Sequence, residues 1–419
     1  MTPGRTRNVL LLTALYLAQG LPYGFFTQAL PILLRDSGYS LKAISATSLL
    51  YLPWALKFLW APYLDHIGTR RQWLLFWQLS SVAGALLLTQ LDLSHGYTVV
   101  LAAAFIFSFI AASQDIVTDG LAVRILDTRE RGLANAIQVG AYRLGMIAGG
   151  GLLLWIFARS NWTTMFFGMA AILALTVLPV LSLVEPPREV GSAVRTPGQL
   201  LIGWFVRLKT PGMLRLVALI CCYRFGDAMI SRLVGPFVRD SGLSLETIAL
   251  MKGVVGSGTS LVGALIGGWF VFNVGRRNAL LYSGLGQSAC FILYVVAAMG
   301  IGGINLLWTV TVCEGVIGTM ATVALFTLMM DASDPDHAST DYTLLASAVV
   351  LIDSAGNFCA AALADAFSYT ATFATGMSLA LVGCLVLVFS LDRKAMPARI
   401  ATVWQSRTHR SPRSPRRLG

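Results

Sequence analysis

The chain has 419 residues, of which 56% are hydrophobic and only 12% charged, and its mean hydropathy is +0.70. A soluble domain carries about 25% charged residues, so this composition excludes a soluble protein with a single anchor and predicts a polytopic membrane protein. The net charge of +11 does not imply nucleic acid, because the Lys and Arg gather between apolar stretches, as they do on the cytoplasmic side of a membrane.

About 20 apolar residues cross the hydrocarbon as a helix. Twelve stretches qualify: 8–34, 41–64, 72–91, 97–126, 132–157, 161–184, 213–238, 245–273, 278–299, 304–330, 341–366 and 368–391. No small-residue cleavage site follows the first, so it reads as a spanning helix rather than a removed leader. Six stretches fall on each side of a central connection. This predicts an all-α membrane protein with an N-terminal six-helix bundle over 1–184 and a C-terminal one over 213–392. Residues 185–212 form the linker, with an interfacial amphipathic helix over Gln199–Arg207. The Arg/Ser/Pro-rich tail, 393–419, is expected to be disordered. Placing the N-terminus in the cytoplasm puts most Lys and Arg inside, including Arg5, Arg7, Arg70, Arg71, Arg276 and Arg277; both termini are then cytoplasmic. The six Cys (221, 222, 290, 313, 359 and 384) lie in apolar stretches and read as small core residues.

One polar sentence occurs twice. Residues 35–44 read Arg-Asp-Ser-Gly-Tyr-Ser-Leu-Lys-Ala-Ile, and 239–248 read Arg-Asp-Ser-Gly-Leu-Ser-Leu-Glu-Thr-Ile. Each copy follows one apolar stretch and precedes another. About 30 residues later come Gly68-Thr69-Arg70-Arg71 and Gly275-Arg276-Arg277. Such a duplication predicts two pseudo-symmetric halves around a site near the bilayer midplane.

The end of the second stretch, Asp65-His66-Ile67-Gly68-Thr69-Arg70-Arg71, resembles the inner-gate loop of the major facilitator superfamily. An acid there pairs with a cation or a helix N-terminus, Gly68 permits a tight turn, and the arginines stay at the headgroups. The resemblance makes Asp65, Gly68, Arg70 and Arg71 gate residues. The second half has Asn273 near the acid's place, so its lock is expected to be weaker. A plainer reading is an ordinary positive loop. Pro53-Trp54-Ala55-Leu56-Lys57-Phe58-Leu59-Trp60-Ala61-Pro62 and Ser113-Gln114-Asp115-Ile116-Val117-Thr118-Asp119-Gly120 resemble the AmpG-like permeases. So do Glu130-Arg131-Gly132, Tyr142-Arg143-Leu144-Gly145-Met146, Glu314-Gly315 and Met329-Met330-Asp331. That group is similar to muropeptide and siderophore permeases. A short chain with a short central loop favours the siderophore branch, as does Tyr16-Leu17-Ala18-Gln19-Gly20-Leu21-Pro22.

A charge at the centre of a spanning helix costs about 2.5–3.5 kcal/mol on insertion scales and marks function by default. Asp115 and Asp119 are four apart, so they share a helix face. Their candidate cations are Lys57 and Arg143, and Arg143 suits an anionic solute equally. Arg224 and Asp227 are spaced for a local pair; Asp353 and Asn357 share a face. The repeat sets Gln19 opposite Tyr223, and Tyr23 opposite Asp227. The candidate substrate-binding set is therefore Gln19, Tyr23, Lys57, Gln114, Arg143, Tyr223, Arg224 and Asn357. The candidate proton-coupling set is Asp115, Asp119, Asp227, Glu314 and Asp353. Structural ion pairing is the competing reading for all of them.

No Gly-x-x-x-x-Gly-Lys-Ser/Thr loop, metal-ligand cluster or Gly-x-Ser-x-Gly motif is present, so no cofactor and no enzyme activity is expected. The reading is a monomeric, proton-coupled importer of a siderophore or metal-siderophore complex across a bacterial inner membrane. A muropeptide is the alternative solute; a non-translocating receptor and a membrane acyltransferase are the rivals from other classes.

Overall fold

The computed structural model describes residues 3–39, 46–91, 96–126, 131–183, 212–231, 233–244, 247–248, 250–393 and 398–404. The expected linker helix over Gln199–Arg207 lies outside them.

All regular structure among these residues is helical. α1 (Pro3–Gly24) runs through a π turn, Phe25–Ala29, into α2 (Leu30–Asp36). α3 (Leu52–Leu56) and α4 (Ala61–His66) are short pieces joined by a 3₁₀ turn, Lys57–Leu59. Pro53 and Pro62 sit in the first turn of each piece, where a missing N–H costs nothing. There follow α5 (Arg70–Leu88), α6 (Tyr97–Ile125), α7 (Arg131–Ile147), a π turn, α8 (Leu153–Arg159) and α9 (Trp162–Leu181). The second run comprises α10 (Met213–Ser231), α11 (Val234–Asp240), α12 (Gly256–Val274), α13 (Arg276–Ala298), α14 (Gly303–Ala332), α15 (Ala338–Ala366) and α16 (Tyr369–Asp392).

Nine helices among the described residues are long and apolar enough to cross a membrane. The expected stretches at 41–64, 72–91 and 213–238 are not among them. Prolines and the 3₁₀ turn break the first. Charged and amide side chains dilute the other two: Arg70, Arg71, Gln72 and Gln78 in α5, and Arg215, Arg224 and Asp227 in α10.

Helices α1–α9 pack mainly on one another, as α1 on α7 and α5 on α9, and α10–α16 do likewise, as α10 on α16 and α12 on α14. We call these the first and second bundles. Backbone contact sets the tightest crossings. A Cβ on Gly20 would lie 2.1 Å from the Tyr142 carbonyl oxygen, and one on Gly226 2.2 Å from the Ala380 nitrogen. Small residues therefore let α1 meet α7 and α10 meet α16, the usual device where lipid supplies no hydrophobic drive between helices. The bundles meet through α7 on α12, α6 on α15, and α4 on α15.

The tail departs from expectation at its start. α17 (Ala398–Trp404) is a helix whose Ile400 and Trp404, four apart on one face, are buried. Trp404 Nε1 donates to Asp392 (2.9 Å), which also takes both arms of Arg277 (2.7 Å each). Arg399 pairs with Asp334 at 3.0 Å. An apolar pair at helical spacing, with acids to meet its flanking cation, docks a segment whose composition alone suggested disorder.

Candidate functional site

Three polar assemblies succeed one another along α7. The helix rises 1.5 Å per residue, so Arg131, Gln138 and Arg143 are spaced by roughly 10 Å and then about 8 Å.

The first assembly ties the bundles together at the Arg131 end. Gly68 turns the chain at φ +67°, and Thr69 caps α5 through a reciprocal capping box with Gln72. The turn holds Asp65 against the start of α15. Its buried carboxylate accepts from Arg70 (2.8 Å), the Ser339 N–H (3.1 Å), the Thr340 N–H (2.6 Å) and the Thr340 hydroxyl (2.6 Å). A carboxylate on exposed N–H groups at a helix start is favoured by the helix dipole as well. Arg71 donates to the Leu181 carbonyl at 2.9 Å. In the second half an acid does meet the arginine, from elsewhere than the position of Asn273: Asp331 of α14 supplies it. Asp331 receives Arg131 from the first bundle and Arg276 from its own, each at 2.9 Å. Among the described residues Asn273 bonds the Trp269 carbonyl alone. Gly120 completes the closure: a Cβ there would lie 1.9 Å from Ser339 Oγ.

The second assembly is buried. Lys57, 2% exposed, is held by the 3₁₀ turn against α6. It pairs with Asp115 and stands 3.9 Å from Asp119. Asp119 also accepts from the Tyr16 hydroxyl (3.1 Å) and Gln138 Nε2 (3.2 Å). Gln138 Nε2 reaches the hydroxyl of Tyr342 (3.3 Å) in the second bundle. Of the two cations considered for the Asp115–Asp119 face, the structure uses Lys57; Arg143 is elsewhere. A charge in this dry setting is tolerated because it is paired and hydrogen-bonded. Gln19 and the Gln114 amide nitrogen are buried nearby in the first bundle without hydrogen-bond partners among the described residues.

The third assembly is a cavity of about 330 Å³. Its charged and amide lining is Arg143, Arg224, Asp227, Lys252, Gln287 and Glu314. Arg143 is the one lining residue from the first bundle among the described residues. Arg224 is neutralised twice, by Asp227 and by a two-armed pair with Asp353 (2.9 and 3.2 Å). Asp227 accepts also from Ser231 (3.0 Å) and Gln287 (2.8 Å). Arg143 and Glu314, by contrast, make no hydrogen bond or ion pair among the described residues.

The structure thus separates residues that the sequence grouped. Arg143, Arg224, Asp227 and Glu314 share the cavity, while Lys57, Asp115 and Asp119 form the buried cluster. Tyr23 stacks edge-on with Tyr51 and Trp54 at 5.7 and 5.5 Å, away from the cavity lining. Tyr223 is buried and is not among the cavity-lining residues. Asn357 is exposed one turn beyond Asp353. Sequence reasoning gave no role to Lys252, Gln138, Tyr342 or Asp331, although Asp331 stood in a quoted motif and Lys252 is a charge inside the expected stretch 245–273.

The sequence profile of the Major Facilitator Superfamily matches residues 12–351. The chain belongs to that superfamily. It is a multi-pass membrane transporter of small molecules, with an all-helical fold. An uncharacterized protein of Haemophilus influenzae is 30% identical over 402 residues, covering 91% of this chain and 94% of that one. The anhydromuropeptide permease of Escherichia coli K12 is 30% identical over 350 residues, covering 80% of this transporter and 70% of the permease. Among solved structures, the human organic anion transporter MFSD10 superimposes with a TM-score of 0.74 at 16% identity, covering 92% of this chain and all of that one; that likeness concerns the fold alone.

Proposed function

We propose that this transporter is a proton-coupled importer of an anhydromuropeptide-like solute in a bacterial inner membrane. The reading moves from the siderophore branch to the muropeptide branch. The permease relative supports that, and chain length, which had favoured siderophores, is weak evidence beside 30% identity over four-fifths of the chain. The proposal includes twelve crossings in two bundles, 1–184 and 213–392, acting as a monomer with both termini in the cytoplasm. The Asp65 and Asp331 locks then close the cytoplasmic side, and the cavity belongs to an outward-open state.

The observation that carries the reading is Arg143, a guanidinium with no partner among the described residues, reaching into a cavity otherwise built by the second bundle. Arginine stays protonated and binds carboxylates two-armed. An anionic solute seated on Arg143 and the second bundle draws the bundles together, so binding energy drives rocking. The proton enters the Lys57–Asp115–Asp119 cluster, which joins the bundles through Gln138 and Tyr342. Protonating either acid removes a charge that Lys57 needs and loosens the closed side.

Uptake of labelled anhydromuropeptide and labelled ferric siderophore, each with and without a protonophore, tests this. Muropeptide uptake that the protonophore stops and Arg143→Ala lowers at least tenfold is expected. Siderophore uptake instead returns the protein to the other branch. Uptake of neither by correctly inserted protein removes both solutes.

A further inference from the structure

The boundary between the bundles carries a stripe of hydroxyls that the fold leaves unanswered. Ser339, Thr343 and Ser347 stand four apart, so they share one face of α15, and each is at most 1% exposed. Their hydroxyl oxygens make no hydrogen bond among the described residues. Elsewhere in the long helices such groups are quenched locally. Thr118, Ser283, Ser288, Thr311 and Thr327 each donate to the carbonyl one turn back, the ordinary outlet for a hydroxyl inside a helix.

What covers the stripe is the first bundle. A Cβ on Gly120 of α6 would lie 1.9 Å from Ser339 Oγ, and α15 packs in succession along α3, the 3₁₀ turn and α4. Tyr342, next to Thr343, meets Gln138 Nε2 of α7 at 3.3 Å, and the Gln138 amide oxygen is also buried without a partner among the described residues. The side of α15 that faces its own bundle is a different one, marked by the Asp353–Arg224 pair and by Gly356, where a Cβ would lie 2.8 Å from Ala228 Cβ. One turn beyond Ser347 the cover ends: Leu351 is exposed, and so are Ser354 and Phe358 farther along. The covered stripe is about 12 Å long. A hydroxyl buried without a hydrogen bond has given up water for nothing, which costs free energy. Three in a row, with an orphaned amide oxygen beside them, make a surface better suited to water than to the helices that cover it.

We infer that the Ser339–Thr343–Ser347 face of α15 is the wall of a passage at the Asp65 end, closed in this conformation, through which the solute leaves. Its chemistry suits uncharged hydroxyl and amide groups, and the stripe itself offers a carboxylate no cation that would retain it. The inference rests on the importer reading and deepens it: the cavity grips the charged part of the solute through Arg143, and the passage lets its neutral polar part slide by. It also gives the lock its task. The face is unfavourable when dry, so Asp65 and Asp331 hold shut an end that would otherwise wet.

The test begins with alkylation of Thr343→Cys and Ser347→Cys by a membrane-impermeant maleimide, in the full-length protein in vesicles of either orientation. Peptide mass spectrometry separates these sites from the native cysteines. Adding Asp65→Ala is expected to raise the labelling rate at both positions at least tenfold from the cytoplasmic face. A rate that stays flat from both faces, while spin labels show α4 and α15 moving apart, overturns the passage. A rise confined to the outer face keeps the passage and removes the importer orientation. The second arm leaves the lock intact. Thr343→Val with Ser347→Ala is expected to shift the spin-label distances at least tenfold toward the closed form. It should also lower the maximal rate of anhydromuropeptide uptake at least fivefold with KM changed less than twofold, and Thr343→Ser with Ser347→Thr should restore the rate. An unchanged distance distribution in the hydroxyl-free variant overturns the inference. If wild type takes up no anhydromuropeptide, that solute falls, and the labelling and distance results still decide the passage.

Discussion

The closed end and the cavity use the same chemistry to opposite effect. At the closed end Asp65, Asp331 and the Lys57 cluster have every charge answered by protein, largely across the bundle boundary. In the cavity Arg224 and Asp227 are answered within the second bundle, while Arg143, from the first bundle, makes no hydrogen bond or ion pair among the described residues. Charges paired across a boundary hold a conformation, and charges left open beside it wait for a ligand. The difference separates charges paired across the bundle boundary from charges left open beside it, a distinction that burial alone does not make.

The largest effect is expected at Asp65. Asp65→Ala removes the four hydrogen bonds described above, takes the Asp65 charge away from the buried Arg70, and strips the start of α15 of its acceptor. Breaking such a pair costs about 3–5 kcal/mol, a shift of a hundredfold or more in the balance between open states. Distance measurements between spin labels on the α4 and α15 ends check this; an unchanged distribution would mean that Asp331 and Gly120 suffice to hold the closed end. Lys57→Ala comes next. It leaves Asp115 and Asp119 facing one another and is expected to abolish concentrative uptake, whereas Lys57→Ala with Asp115→Asn recovers a measurable part of protein stability. Thermal unfolding of the single and double variants gives the coupling, expected at about 0.5–3 kcal/mol for groups in one network. Additive losses would show that the three residues do not act as a unit. The smallest effect is expected at Trp404. Every contact of α17 described above stays within the second bundle, so Trp404→Ala should speed hydrogen exchange over 398–404 and change uptake by less than twofold. A larger change in uptake would extend the gate to the tail.

Much of the candidate site was legible as a list of charges and little of it as an arrangement. Asp65, Gly68 and Arg70 were readable because a turn and its cap are local: the acid, the positive-φ glycine and the arginine lie within six residues. The Asp115–Asp119 face was readable from helical spacing. That Lys57 rather than Arg143 answers it was not, because the choice depends on a 3₁₀ turn in a proline-broken segment packing on α6. The acid that meets Arg276 was missed for the same reason. The missing acid came from 58 positions further along the chain, on α14, where no local pattern ties it to Arg276. The start of the tail shows the converse, since Ile400 and Trp404 form a legible apolar face that the surrounding Arg, Ser and Pro obscured.

The sequence by itself determined the membrane, the helical class and the inventory of intramembrane charges. Each of these follows from hydropathy, length or spacing, which are properties of neighbouring residues in water and lipid. Tertiary structure alone decided which charges are spent on one another and which stay open, because pairing is a matter of a few ångströms between helices that are far apart in the chain. Arg143 and Arg224 are equivalent on any scale read along the sequence. One is quenched by Asp227 and Asp353, the other faces the cavity from the opposite bundle, and packing is what separates them.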